Sequence, residues 1–540
     1  MKLLLLLICL STGLMASAQT WQDTVVLIDK IFSRYAPENP GAQLAISRNG
    51  QLIYSSVRGM ANLEDGTALT KESKIEAGSI SKQFTAASIL LLEQQGKLSL
   101  NDDVRKYVPE VPNYGYTITI RHLMSHTSGL KDWGSIADIA GWPRGSKAYN
   151  NDDALHIISL QKTLNNKPGD EFIYSNSNYN LMAIIVQRVS GMSLAAFSKQ
   201  YIFTPAGMMH TEWRDNYRRV VQHRAIAYSK GSNGYLTNMP NEDVYGNGGL
   251  LTTAEDLLAW NNYYLNGKLG NPSLLSRQIT SVPLNNGKRN VYAAGLFVDS
   301  VNGWFSIAHS GATAGYRANL DHFPQLGLSI AWLSNNSQPD LGSTPAAVRN
   351  LLVKNKAHRV AEPAVKSNAD IKKMFPYMGA YKDNVTGACY KFYMKENGIY
   401  SENNGGPLPA INDHTLQAGR ARIVFTNVQP RSAALINGAG DTLLLTGVDT
   451  VQYNEPLLKE YTGTYYSTEA EAETVVTLKN GKLQISPRMG MDEGLVPRYK
   501  DGFVFPGGDL YFERDSKGNI NAFYVSVSRA RKVQFVRKNQ

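Results

Sequence analysis

AGSISKQFTAA, residues 77–87, sets a serine three positions before a lysine, where a glycine gives way to a helix-forming run. On a helix, residues i and i+3 share a face, so the Lys82 amine can reach the Ser79 hydroxyl. The bland alternative is a helix N-terminus with a capping serine. The spacing alone decides little, because Ser128–Lys131 and Ser159–Lys162 repeat it. Ser128 is followed by Gly129 in a turn-like SHTSGL, and Ser159 lies near the end of an ordinary amphipathic helix. Ser79 follows Gly78 and opens a helix. There its Oγ can project into a cleft, and the helix dipole favours developing negative charge.

A serine hydroxyl is inert without a base. Lys82 serves if burial and positive neighbours lower its pKa, and a phenol can share the proton. The candidate phenol lies in NNKPGDEFIYSNSNYNLM (165–182), where Tyr174-Ser175-Asn176 stands in a Pro-Gly-led loop directly before a long apolar helix. Tyr-x-Asn is a weak signal, since Tyr149, Tyr245 and Tyr264 begin chance copies. A third piece is IAHSGATAGY (307–316). His309-Ser310-Gly311 falls on an expected edge strand, where a small residue and a glycine let a substrate backbone approach closely. His309 is either a donor to a substrate carboxylate or carbonyl, or a satisfied strand histidine.

Around these pieces, residues 19–355 mix strand and helix patterns. GAQLAISRNGQLIYSSVRG (41–59) reads as a hairpin turning at Asn49-Gly50. SKQFTAASILLLEQQG, YNLMAIIVQRVSG and TTAEDLLAWNNYYLNG read as helices, the last capped by Thr252 or Thr253. Residues 306–335 return to strands. Strands at both ends with helices between predict an α+β domain, an antiparallel sheet with outer strands from both termini. Past a basic, weakly patterned linker at 356–375 the helical period vanishes and all seven tryptophans are behind. MGAYKDN (378–384) and TGTYYST (462–468) each precede a strand, an Asn-Gly turn and a returning strand. This weak repeat predicts two all-β, barrel-like modules at 376–455 and 456–540.

At 540 residues, with 43% hydrophobic and 19% charged, the chain is ordinary globular material of several domains. Lys2, the apolar run Leu3–Leu10 and Ala16-Ser17-Ala18 have the three parts of a secretory signal, so residues 1–18 are expected to be removed and the product to be periplasmic or secreted. Cys9 leaves with them, and Cys389 is then alone, which excludes a disulfide framework or a thiolate metal site. The net charge of +10 suits anionic surroundings such as cell wall. The chain has no dense basic block with interleaved aromatics, so nucleic acid is not an expected partner. No metal or cofactor is called for.

Taken together and in this order, the three pieces resemble the serine β-lactamase / penicillin-binding protein superfamily. The class C-like branch, with its D,D-carboxypeptidases, D-aminopeptidases and esterases, is the nearest likeness. TIRHLMSHTSGL (117–130), KPGDEFIYSNSNYNLMAIIVQRVSG (167–191) and GNGGLLTTAEDLLAW (246–260) extend it to about residues 25–350. The resemblance implies Ser79 as nucleophile, Lys82 as its partner, Tyr174 as general acid/base and Asn176 as the group positioning a substrate amide. It implies His309-Ser310-Gly311 as a substrate-binding strand, and the N–H groups of Ser79 and Ala312 as the oxyanion hole. The fold implied is a helical subdomain beside a helix-flanked antiparallel sheet. Histidine stands where lysine is usual in the third motif, so a fixed positive charge is expected to become a titratable one. That favours a peptidase or esterase acting on a small peptide, amide or ester. A true β-lactamase and a non-catalytic binder of wall peptides are the alternatives. Lys82 and Tyr174 are not ranked as base, and the tail could cap the site, recognise glycan or stabilise the chain.

Overall fold

The computed structural model describes residues 20–538 apart from 144–146, 357–368, 397, 403–404, 420, 438–441 and 487–493. The expected signal segment, and most of the expected linker, lie outside the described residues.

The central sheet runs, edge to edge, Phe297–Val301, Trp304–Thr313, Tyr316–Phe323, Leu328–Ser334, Ala42–Arg48, Gln51–Arg58. Every neighbour is antiparallel. The hairpin turns at Asn49 and Gly50, both at positive φ, as a tight two-residue turn requires. Ala42–Arg48 pairs with Leu328–Ser334 from Ala42↔Ser334 to Arg48↔Leu328, which brings the two ends of this body together. LSIAWLS is buried at every position because both its faces are covered. Leu44, Ile46, Ile330 and Trp332 pack with Ile28 and Phe32 of the helix Trp21–Phe32, while Ala45, Ala331 and Leu333 belong to the opposite core. The helix Ala254–Leu265 lies against the same two strands. Thr253 is its N-cap, its hydroxyl accepting from the Asp256 N–H.

Beside the sheet stands a helical region. The helix Lys82–Gln94 packs on Asn176–Ser190, and both bury every face along most of their length, so neither shows a polar stripe. Gly191 ends the second helix in a left-handed cap.

The tail forms two eight-stranded antiparallel sheets with one shared plan. Numbering each sheet's strands in chain order, both run 3-2-1-8-7-6-5-4. Each is drawn nearly closed by one backbone bond at the same place. Leu408 N–H donates to Ile399 C=O at 2.7 Å, and Leu495 N–H to Leu483 C=O at 2.7 Å. The Gly-x-Tyr repeat now has a physical basis. Tyr381 and Tyr465 are buried, and each donates its hydroxyl to a carbonyl four residues back, Tyr377 at 2.6 Å and Tyr461 at 2.8 Å. An arginine lies over each ring, Arg431 over Tyr381 and Arg537 over Tyr465. The end of the expected linker forms a 3-10 helix, Ile371–Tyr377, whose Met374 is buried in the first barrel-like sheet.

The two sheets relate differently to the rest. The first has its own apolar cluster. The apolar cluster of the second is continuous with that of the helical region. A buried ion pair, Lys131 Nζ to Glu469 Oε1 at 2.8 Å, joins them with both side chains almost wholly excluded from water.

Candidate active site

The serine of AGSISKQFTAA lies in a short 3-10 turn, Gly78–Ser81, and the helix proper begins at Lys82. Gly78 has φ +51, in the left-handed region, and a Cβ there would sit 2.7 Å from Ala312 N. A Cβ on Gly311 would lie 1.9 Å from Ala77 O and 3.1 Å from Ser79 N. These two glycines therefore let the strand Trp304–Thr313 press its backbone against the serine turn. The edge is open there, because Phe297–Val301 pairs with this strand only as far as Ala308. Gly311→Ala is expected to push the strand off the turn and lower kcat/KM at least ~10²-fold through misplacement. Steady-state kinetics alongside a thermal melt will separate that loss from unfolding.

Lys82 is fully buried. Its Nζ lies 3.1 Å from Ser79 Oγ, 2.9 Å from Asn176 Oδ1 and 2.5 Å from the Asn247 carbonyl oxygen. Burial holds the amine well below its ordinary pKa, the Asp132 carboxylate opposes this, and the Arg529 cation reinforces it. A neutral amine has two N–H donors and one lone pair. The two carbonyl-type oxygens of Asn176 and Asn247 take the donors, which leaves the lone pair for the Ser79 hydroxyl.

Tyr174 is arranged for the opposite state. Its hydroxyl is buried, and burial pushes its pKa up, with Ser79 and Arg529 pulling weakly the other way. The phenol stays protonated. No hydrogen bond to Ser79 closes, and the Lys82 amine lies 4.8 Å from the ring centroid. Behind the ring stands His126, 4.2 Å away centroid to centroid. His126 has φ +56, unusual for a residue with a side chain, and its Nδ1 accepts from the Ser175 N–H at 3.2 Å. Ser128, the serine of one rival pair, donates to Asn178 Oδ1 at 2.7 Å, and Lys131 is spent on Glu469. SHTSGL thus forms the wall behind Tyr174.

Asn176 donates its backbone N–H to Asp132 Oδ2 at 2.6 Å. Its Oδ1 faces Lys82, so its amide nitrogen is the half left for a substrate. His309 is buried, and both its nitrogens are engaged. Nε2 lies 2.9 Å from the Tyr292 hydroxyl and Nδ1 2.6 Å from the Ser310 carbonyl oxygen. The carbonyl can only accept, so Nδ1 carries the proton and Nε2 accepts from Tyr292. Burial above all holds the His309 pKa down to about 3, and a proton on Lys82 would only push it the same way. The imidazole is therefore neutral at physiological pH, and the titratable cation expected there from the sequence is absent.

A cavity of about 820 Å³ is lined by Ser79, Tyr174, Asn176, His309, Ser310, Gly311 and Ala312, with Lys82 directly behind Ser79. Three distant segments thus meet at one place. Sequence reading missed four contributors. Asn247 lies in the block GNGGLLTTAEDLLAW, but its backbone oxygen leaves no mark on residue type. Tyr292 has no motif. His126 stands in SHTSGL, whose interest seemed confined to its turn. Arg529 comes from the second barrel-like sheet.

Residues 28–353 match the beta-lactamase family. The chain belongs to the beta-lactamase family. Penicillin-binding protein 4* of Bacillus subtilis (strain 168) is 29% identical over 308 residues, 54% of this chain and 67% of that protein. Protein flp of Staphylococcus aureus (strain MRSA252) is 30% identical over 304 residues, 55% of this chain and 59% of that protein. The chain thus spans about three-fifths to two-thirds of the length of these curated relatives. Among solved structures, the octameric penicillin-binding protein homologue from Pyrococcus abyssi superposes with TM-score 0.54 at 22% identity, covering 79% of this chain and 99% of that one. The D-amino acid amidase from Ochrobactrum anthropi SV3 superposes with TM-score 0.51 at 18% identity, covering 61% and 98%. At these identities the two structures speak for the shared beta-lactamase fold.

Proposed function

We propose that this beta-lactamase family member is an exported serine hydrolase that cleaves amide or ester bonds through an acyl-Ser79 intermediate. The observation that carries this reading is the Lys82 amine, buried, 3.1 Å from Ser79 Oγ and within hydrogen-bond reach of two carbonyl-type oxygens. Ser79 Oγ attacks the carbonyl carbon while its proton passes to Lys82 Nζ. The oxyanion sits between the N–H groups of Ser79 and Ala312, each contributing about 2.7–4 kcal/mol to lowering the barrier. Tyr174, protonated, delivers a proton to the leaving group and recovers it from Lys82. Asn176 Nδ2 orients the substrate carbonyl. Water then hydrolyses the ester by the reverse sequence.

The base assignment left open by the sequence falls to Lys82, because burial favours the neutral form of both groups: an amine without its proton and a phenol with it. The pH dependence follows. Activity requires Lys82 deprotonated, so the acid limb lies well below pH 10.5. It requires Tyr174 protonated, so the alkaline limb lies above pH 10. A kcat/KM profile for a neutral ester is expected to hold a plateau through pH 9, with no inflection from His309 above pH 5. A midpoint near pH 10 on the rising limb removes Lys82 as base.

The substrate is read as a small peptide, amide or ester, in keeping with the amide chemistry named for one fold neighbour. The leader-like segment Lys2 to Ala18 supports a periplasmic or secreted location, and no single helix among the described residues is long and apolar enough to cross a membrane. The deciding experiment is trapping. The mature protein is mixed with an aryl ester or a penicillin, quenched in acid and digested. One acyl group on the peptide carrying Ser79 is expected, and an unmodified Ser79 under turnover conditions removes the reading.

A further inference from the structure

One guanidinium on the cavity wall is left without an ion pair among the described residues. Arg529 stands in the tight connection between the last two strands of the second barrel-like sheet, Ile520–Val527 and Ala530–Arg537. That turn is fastened to the catalytic body by its backbone. Asp132 N–H and Asn165 Nδ2 both donate to the Arg529 carbonyl oxygen at 3.0 Å, and Arg531 N–H donates to Asn165 Oδ1 at 2.8 Å. The Arg531 guanidinium grips Glu171 through two bonds of 3.0 Å. The Arg529 side chain is thereby delivered over the face of Tyr174, Cζ 4.8 Å from the ring centroid. Its guanidinium makes no hydrogen bond or ion pair with a described residue.

The acids around it are occupied. Glu76 holds Arg214 at 2.8 Å, and Asp132 accepts from the N–H groups of Asn176 and Ser135. Asp138 and Glu242 also have partners. The other arginine on the wall, Arg317, donates to the carbonyls of Ala314 and Tyr316. His309 is hydrogen-bonded through both nitrogens.

We propose that Arg529 is a specificity-determining residue that binds an anionic group of the substrate, a carboxylate on the leaving-group side of the scissile bond. The side follows from Tyr174. If that phenol protonates the leaving group, as the reading above holds, the guanidinium stacked on it faces the same part of the substrate. A half-buried guanidinium offers a planar fork of N–H donors that matches a carboxylate and repels an ammonium. The barrel supplies the positive charge that His309 does not. The specificity is then for peptides ending in a free carboxylate one residue beyond the cleaved bond, over substrates with a free amine at that position.

The test reads binding in the full-length, acylation-incompetent Ser79→Ala protein by calorimetry. The probes are N-acetyl-alanyl-alanine and its C-terminal amide, in D,D and L,L forms. The acid is expected to bind at least ~10-fold tighter than the amide in one of the two chiral forms. Adding Arg529→Met is expected to abolish the difference, and adding Arg529→Lys to retain part of it. Arg529→Gln serves if the methionine variant fails to fold, judged by its melt. Equal affinity for acid and amide, no binding of either, or a difference that survives loss of the guanidinium overturns the proposal. Because the assay involves no turnover, acid selectivity without Ser79-dependent hydrolysis sinks the hydrolase reading and leaves the anion site standing, and the reverse result does the opposite.

Discussion

Ser79→Ala is expected to lower kcat/KM for an aryl ester about 10³-fold or more, and Lys82→Met by a similar factor. The double variant should be no worse than either single one, because nucleophile and base act as one unit. The two losses will have different thermodynamic companions. Ser79 is half-buried and alanine removes one hydroxyl, so the melting temperature should barely move. Lys82 is buried among Asn176, Asn247 and the rings of Tyr174 and Tyr179. Methionine fills its volume and ends the cost of burying an amine, so this variant should be as stable as the parent or more so. Lys82→Met retaining a tenth of the parental rate would leave Ser79 needing another base, and among the described residues only Lys82 hydrogen-bonds its Oγ.

Glu469→Ala is expected to cost about 3–5 kcal/mol, the range for stranding a buried charge. Lys131 has no exit to water at that point, and the Lys162 backbone N–H also loses its acceptor. Burial already holds the Lys131 pKa below its usual value, with Glu469 as the group that raises it. Removing Glu469 lowers it further. Between that lowered pKa and 10.5 the folded state then binds fewer protons than the unfolded state, so the variant should gain stability as pH rises through that window. Urea melts at pH 7 and pH 9.5 will read the slope. Lys131→Met with Glu469→Leu should recover most of the loss, since an apolar pair of similar volume restores the packing. A Glu469→Ala protein as stable as the parent would show that the barrel is not held by this pair.

Local signals were legible and long-range ones were not, for a physical reason. Asn49-Gly50 determined its hairpin because turn geometry depends on two residues. The Ser79–Lys82 pair was readable because three residues of helix fix its geometry. The convergence of Tyr174 and His309 on Ser79 was inferable only from joint order and family likeness. The state of His309 was not readable, because it rests on the Tyr292 hydroxyl and the Ser310 carbonyl, and no spacing encodes either. Ser128–Lys131 looked like a weak copy of the site and is instead two structural groups, one bonded to Asn178 and the other to Glu469. The tail's repeat was visible as Gly-x-Tyr because the tyrosine bond back to the chain is local. Arg529 was invisible, because its meaning depends on how a whole β-module seats against helices formed far earlier in the sequence.

The hairpin that carries Arg529 has a consequence for biogenesis. The ribosome delivers Ser79 450 residues before Arg529, so the catalytic body has every chance to fold before its own pocket wall exists. A nascent or truncated chain would present an unfinished vestibule, its lysine relieved of the nearby cation and its mouth open to solvent. Completion of the pocket wall thereby waits on synthesis of the second barrel-like sheet, a timing control written into chain order.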